Sequence, residues 1–542
     1  MTQPVNNLKA WRHLEAHAGR MAGPENHLSK LIAAPNRLAG FSASGGGLFY
    51  DFSRQRVDAD VMATLVELAG ERAVSRCFAD MVNGEIVNRT ENRAALHTAA
   101  RDFSGRKITV NGVDAAAELS RVNAEVREFS RRIHSGELTG TTGKPFRHAV
   151  VIGIGGSYLG TEFVAAAFAP AADKNIRLHF LPNVDIDCFG SLVQSIDPES
   201  TLWIVISKSY TTTETMANEA QALAFLRENN LDPKDHIVTV TAKGSPGDDP
   251  SKPVLASFHM FDFIGGRFSV TSAVGGVPLS LYVGFDRFER FLAGAEEMDN
   301  HAASAPPEKN LPMIAALVSV WNNNFLGYPA SAVIPYSTPL SRLPAHIQQL
   351  YMESNGKGVT QDGHPLNTAS GVIVFGEPGT NAQHSFFQLA HQGRHFPIDF
   401  IGVIRPHFES YRNRSKGVTN HQELWANLIA QPQALATGKA DPENKARHFS
   451  GNRPSSTLLL SDLSPENIGR LLSFYEAKTV FEAFIWDINP FDQFGVELGK
   501  TMASDIRASM VKKNENPEHI IDDAGHIEKA YLDMLFGGSL KA

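Results

Sequence analysis

With 542 residues the chain is too long for a single ordinary hydrophobic core, and its 42% hydrophobic and 20% charged residues are typical of a water-soluble globular protein. The net charge of −8, from 50 Lys and Arg against 58 Asp and Glu, offers no broad basic surface and argues against nucleic acid as a partner. The two cysteines, Cys77 and Cys188, cannot build a disulfide framework or a zinc site between them, and they fit a reducing compartment.

The opening stretch MTQPVNNLKAWRHLEAHAGR is polar and lacks the apolar centre of a secretory signal. One of the longer apolar runs, MIAALVSVW at 313–321, falls well short of a bilayer span, so a cytoplasmic protein without membrane contact is expected. Residues 1–105 read as mainly helical, with a loop at Ser44-Gly-Gly-Gly47. From 148 the pattern changes. Strand-like apolar runs stand at 148–152, 176–181, 202–206 and 237–241, separated by helical spacing at 158–168 and 213–229. GSPGDDPSKP at 244–253 is a polar surface loop. A second series of strands is predicted at 332–335, 372–375, 400–404 and 457–460, with irregular pieces at 305–310 and 439–456.

Strands alternating with helices predict an α/β fold with doubly wound parallel sheets. Two strand ends, WIVISKSYTTTET and VIVFGEPGTNAQHS, run alike into polar turns before helices, which suggests two related units. The expected organisation is a helical segment 1–105 packing on the larger unit, a smaller α/β unit 106–280, a larger one 281–510, and a helical tail 511–542.

VVIGIGGSYLG at 150–160 breaks from a strand into glycines, an arrangement that commonly holds phosphate. A dinucleotide fingerprint fails here, because Gly153 and Gly155 supply its first two glycines but Tyr158 occupies the third position. A nucleotide triphosphate loop fails at GVELGKT (495–501), where three residues rather than four separate the glycines and no buried strand precedes them. A single phosphate monoester remains. For it, Gly155, Gly156 and Ser157 offer a short turn at a helix start. ISKSYTTTET (206–215) adds six hydroxyls, from Ser207, Ser209, Thr211, Thr212, Thr213 and Thr215. Any one of these is most simply a helix cap, but six in ten residues at a strand end favour a phosphate grip of little net charge.

GIGGSYLG, SKSYTTTET, GGRFSVTSAVG (265–275), QQLYMESNGKG (348–358), GTNAQHSFFQLAHQG (379–393) and FDQFGVELGK (491–500) resemble the signature blocks of the glucose-6-phosphate isomerase family. NRTENRAALHTAAR (88–101) and SGNRPSS (450–456) extend the resemblance, and the blocks follow in family order over roughly 80–510. The family fold implied is two sugar-isomerase-type α/β domains with flanking helices, paired into a homodimer. The activity implied is reversible conversion of glucose 6-phosphate to fructose 6-phosphate through ring opening and an enediolate. That chemistry needs a base, a stabiliser of negative charge and an acid–base pair for the ring, but no cofactor and no metal.

Gln349 and Glu353 lie four apart, on one face if that block is helical. Alone, Glu353 reads as a surface carboxylate at a helix end; the resemblance makes it the base. Arg267, between two glycines and a phenylalanine, carries fixed positive charge suited to an enediolate. The resemblance further implies that His384 and Lys500 open the ring, that Glu214 orients the histidine, and that Gln493 contacts substrate. It implies that Ser157, Ser207, Ser209 and Thr212 bind phosphate, with Lys208 among them. It also implies that the histidine enters from the partner subunit. Ser209 stands where the family usually has Thr, Tyr158 where many members have Asp, and Thr213 where many have Gln; no reacting group is lost. Two other readings compete: an isomerase that also accepts mannose 6-phosphate, and a non-catalytic sugar-phosphate sensor. The sensor is disfavoured because Glu353, Arg267, His384 and Lys500 are all present.

Overall fold

The structure is a computed structural model that describes residues 3–172, 175–519, 521 and 525–540. It contains two compact units, 3–491 and 492–540. The second holds two helices, Glu497–Glu515 and His526–Gly537. The helical tail expected from 511 therefore begins earlier: 511 lies inside a continuous helix that has no glycine or proline to stop it there.

The first unit carries two sheets. The first sheet is wholly parallel, in the order Arg177–Leu181, His148–Ile152, Thr201–Ile206, Ile237–Ala242, Ala256–Met260. Its central strand Thr201–Ile206 is buried along its whole length, as expected of a β-branched run covered by helices on both faces. Because the strand first in sequence lies between the second and the third, the chain reverses direction across the sheet at His148–Ile152 and Thr201–Ile206. Ligands of such sheets bind outside the carboxyl ends of the strands at this reversal.

The second sheet repeats the pattern, in the order Ile373–Phe375, Ala330–Tyr336, Ile398–Val403, Ser455–Leu460, all parallel. Where the first sheet has a fifth parallel strand, the second has an antiparallel hairpin, Ser42–Gly45 and Leu48–Asp51. The expected loop at 44–47 is thus the turn of this hairpin. Gly46 and Gly47 have φ of +49° and +74°, the left-handed pair that a two-residue turn matched to strand twist requires. The two related units are real, but the pairing of their strand ends differs from the sequence reading. Thr201–Ile206 is third in its unit and corresponds to Ile398–Val403, whereas Ile373–Phe375 corresponds to Arg177–Leu181.

One continuous apolar core joins the two sheets, so the expected boundaries at 105 and 280 fall within a shared interior. Its axis is the helix Pro465–Trp486, which starts on a Ser464 cap with Pro465 in its first turn and is buried nearly throughout. A buried ion cluster ties two other segments to this axis. Arg101 donates to Asp299 at 2.6 and 2.8 Å and pairs with Glu476 at 2.6 Å. Among the described residues no helix is long and apolar enough to cross a membrane.

Candidate active site

After His148–Ile152 the chain makes the tight turn Gly155–Ser157 and enters the helix Leu159–Phe168. The turn closes on itself, the Ser157 amide donating to the Ile154 carbonyl and the Tyr158 amide to that of Gly155, both at 3.1 Å. Gly153 sits against the end of the neighbouring strand: a Cβ there would come within 3.2 Å of the Ile206 carbonyl and 2.8 Å of Ser157 Cβ. The glycine turn and the hydroxyl loop are therefore side by side at the point where the sheet reverses direction. In the hydroxyl loop, Ser207 is buried and donates to Thr212 Oγ1 at 3.4 Å, while Ser209 and Thr211 share a hydrogen bond at 2.7 Å. Thr212 immediately precedes the helix Thr213–Glu228 without a side-chain capping bond, and that helix carries Glu214 in its first turn.

Lys208 does not face the hydroxyls in the way its place in the sequence suggests. Its ammonium donates to the carbonyls of Asp262 at 3.1 Å and Ile264 at 3.4 Å and pairs with the Asp262 carboxylate. Burial lowers its pKa, and Asp262 opposes that shift. The positive charge beneath the loop is thus largely balanced, which keeps the hydroxyl cluster close to neutral.

The remaining groups come from two distant parts of the chain. Gly265 and Gly266 lead into a turn holding Arg267, and this turn packs directly on the first glycine turn. A Cβ on Gly156 would lie 2.2 Å from the Gly266 carbonyl carbon and 2.6 Å from the Arg267 nitrogen. The turn holding Arg267 thus comes close to another loop, and the glycine that this approach requires is Gly156. Arg267 is only 3% exposed; it donates from Nε to Ser354 Oγ at 2.6 Å and from its guanidinium to the Pro490 carbonyl.

Glu353 stands 3.4 Å from Arg267, in the last turn of the helix Leu343–Asn355. Gln349, one turn earlier, donates to the Glu353 carboxylate at 3.0 Å, as the spacing of four predicts. The Gln349 amide also reaches back to the glycine turn, 3.0 Å from where a Gly155 Cβ would be. A continuous chain of contacts therefore runs from the Ser157 turn through Gln349 to Glu353 and on to Arg267. Ser354 was not singled out from the sequence. The signal was present in the Met-Glu-Ser-Asn-Gly block, since a buried arginine needs acceptors and its neighbours are the place to seek them.

A family model for phosphoglucose isomerase matches residues 51–525. The chain belongs to the phosphoglucose isomerase family. It is 63% identical over 540 residues to a glucose-6-phosphate isomerase of Desulfosudis oleivorans, covering 99% of both chains. It is 44% identical to a cytosolic glucose-6-phosphate isomerase of Zea mays, over 93% of this chain and 92% of that one. Among solved structures, a glucose-6-phosphate isomerase from Chlamydia trachomatis superposes with a TM-score of 0.89 at 38% identity, covering 94% of this chain and 97% of that one. The fold is that of the family: two doubly wound α/β sheets, the first wholly parallel and the second edged by an antiparallel hairpin, with flanking helices.

Of the family-matched residues in unit 3–491, His384 is not drawn into the cluster; Gln493 and Lys500 lie in the other unit. His384 ends the turn Asn381–His384 beyond the second sheet, is exposed, and makes no hydrogen bond or ion pair with Glu214. Gln493 and Lys500 belong to the second unit, Gln493 at the start of a short turn and Lys500 on the exposed face of Glu497–Glu515. The Gly-Lys-Thr that imitates a nucleotide loop is part of this helix, and a single short turn, with no strand, precedes it.

Proposed function

We propose that the cluster at the carboxyl ends of the first sheet interconverts glucose 6-phosphate and fructose 6-phosphate, the reaction of an intramolecular aldose–ketose isomerase. The Gly155-Gly156-Ser157 turn and the hydroxyls of Ser207, Ser209 and Thr212 grip the phosphate, with Lys208 behind them. Glu353 removes the proton from carbon 2 of the open-chain aldose and returns it to carbon 1. Arg267 stabilises the enediolate charge that develops between those carbons, and Gln349 holds Glu353 toward them. His384 and Lys500 exchange protons with the ring oxygen and the hydroxyl at carbon 1 to open the ring. Glu214 orients His384, and Gln493 contacts the sugar. No cofactor enters this scheme.

The observation that carries the reading is the contact chain Gly155–Gln349–Glu353–Arg267. It sets one carboxylate beside a fixed positive charge and next to a phosphate-type turn. The protein is read as a cytoplasmic homodimer in which His384 of one protomer completes the other's site. Two features support the dimer. His384 has no partner at Glu214 within its own chain, and large apolar side chains stand exposed beyond the second sheet, Phe408 at 56% and Tyr411 at 81%. The likeness to the maize protein named cytosolic supports the location.

The test is Glu353→Gln, assayed on glucose 6-phosphate in heavy water. The expected outcome is retained substrate binding, loss of turnover by about 10²–10⁴-fold, and loss of deuterium entry at carbon 1 of the ketose and, through the reverse step, at carbon 2 of the aldose. Near-normal turnover in this variant would remove Glu353 as the base.

A further inference from the structure

Tyr210 interrupts the hydroxyl loop with a large aromatic side chain in an unusual conformation. Its φ is +52°, in the left-handed region where residues with a Cβ are disfavoured, and it is only 9% exposed. The surrounding structure holds it there by three contacts. Its phenol donates to the Glu219 carboxylate, two turns into the helix that follows the loop. Its ring lies against Gly247 in the Pro246–Asp248 turn, so closely that a Cβ on Gly247 would meet the ring at 2.2 Å. That turn is itself tied to the sheet by Thr239, whose hydroxyl donates to the Gly247 carbonyl at 3.0 Å. Finally, the Tyr210 amide donates to Ser207 Oγ at 3.1 Å.

The last bond bears on phosphate. A serine hydroxyl that accepts an amide proton on one lone pair must turn its own proton away from that amide, here toward Thr212. An anion needs donors, so Tyr210 sets the polarity of the buried hydroxyl in this loop. We propose that Tyr210, latched to Glu219, is a positioning residue that holds Ser207 as a hydrogen-bond donor and thereby sets the affinity of the loop for phosphate. The proposal rests on reading this loop as the phosphate site. It assigns Tyr210 no part in proton transfer.

The experiment compares wild type with Tyr210→Phe, Glu219→Ala and Glu219→Gln. For each it measures kcat and KM for glucose 6-phosphate, the inhibition constant of inorganic phosphate, and Tm. Tyr210→Phe keeps the ring on Gly247 but loses the latch. Its KM and its phosphate inhibition constant are expected to rise together, roughly tenfold, which is the scale of one hydrogen bond to a charged group. Its kcat should stay within about twofold of wild type. Glu219→Ala should behave in the same way, while Glu219→Gln, which keeps an acceptor for the phenol, should return both constants toward wild type. If Tyr210→Phe does not fold, the contrast between the two Glu219 variants decides the matter. Unchanged phosphate inhibition in Tyr210→Phe and Glu219→Ala, with or without a lowered Tm, overturns the latch and leaves the phosphate loop standing. A wild-type enzyme that turns over normally and is indifferent to inorganic phosphate overturns the loop reading itself, and the latch with it.

Discussion

Replacing Gly156 by alanine tests whether the site depends on the contact between its two glycine turns. The added Cβ would sit 2.2 Å from the Gly266 carbonyl carbon and 2.6 Å from the Arg267 nitrogen. Both are backbone atoms, with no side chain to swing aside, and carbon atoms rest at about 3.5–4.0 Å, so the turns must part by more than about 1 Å. Such overpacking costs about 1–3 kcal/mol of stability, and a misplacement of about 1 Å between binding and reacting groups costs around 10²-fold in rate. Gly265→Ala is the control in the facing turn. Its φ is −70°, and its Cβ would meet only the Phe268 ring edge, at an ordinary 3.6 Å. Steady-state kinetics and thermal unfolding on the two variants should show kcat/KM down by about 10² and a lowered Tm for Gly156→Ala, and near wild-type values for Gly265→Ala. Equal behaviour of the two variants, or a Gly156→Ala enzyme within threefold of wild type, would refute the claim that this contact aligns the phosphate grip with Arg267.

Arg267→Lys keeps the charge but loses the planar fork that reaches Ser354 and Pro490, so kcat should fall by about 10²–10³-fold with a smaller change in KM, as steady-state rates will report. Treatment with a chelator should leave turnover unchanged, since in this scheme the enediolate charge is met by Arg267; a strong loss would contradict it. Asp399 lines a small cavity with Lys478 and Tyr50, and burial, opposed by Lys478 and reinforced by Glu482, raises its pKa from 3.8 to about 6. The folded state thus binds this proton more tightly than the unfolded chain. The contribution to stability is complete below about pH 4 and is lost as pH rises through 6. Urea unfolding of wild type should show this decline, up to about 3 kcal/mol, and Asp399→Asn should lack that slope.

The sequence was most legible where structure is local. Buried strands such as Thr201–Ile206 stand out as apolar runs bounded by polar turns, and the facing of Gln349 and Glu353 follows from helical spacing alone. Two elements escaped for recognisable reasons. Ala256–Met260 is a half-exposed edge strand that mixes Ser and His into a short run, so it has no apolar signature. The hairpin at 42–51 was hidden because a glycine-rich turn reads as a loop until its strands find the edge of a sheet some 400 residues away in sequence, a pairing visible as Thr457 opposite Asp51. In the site, the pairing of Gly156 with Gly266 and the tie of Lys208 to Asp262 are also contacts between distant segments, and no local pattern encodes them. The conformation of Tyr210 escaped for the opposite reason: local preference argues against it, and only its tertiary contacts with Glu219 and Gly247 enforce it.

The duplicated architecture bears on why the proposed phosphate grip is placed at the first sheet and not at the second. Both sheets reverse at the same place in their strand order, so each has a crevice where a ligand could bind. In the first, the strands end in Gly-Gly-Ser and in a run of hydroxyls. In the second, Ile398–Val403 ends in Ile404-Arg405-Pro406, where proline removes an amide and Arg405 is already paired with Asp462. At the other strand of that crevice, Arg342 is committed to Glu162 at 2.7 Å. That pair joins the start of the helix Leu343–Asn355 to the helix that follows the glycine turn of the first sheet. The half built on the second sheet thus gives up its own crevice and contributes instead the helix after its first strand, which delivers Gln349 and Glu353 to the crevice of the first. In the proposed scheme phosphate is held by one half and the proton is moved by the other, so substrate geometry would depend on how the halves are packed. For that reason the close contact at Gly156, rather than any single hydroxyl, is where a one-carbon change should do the greatest harm.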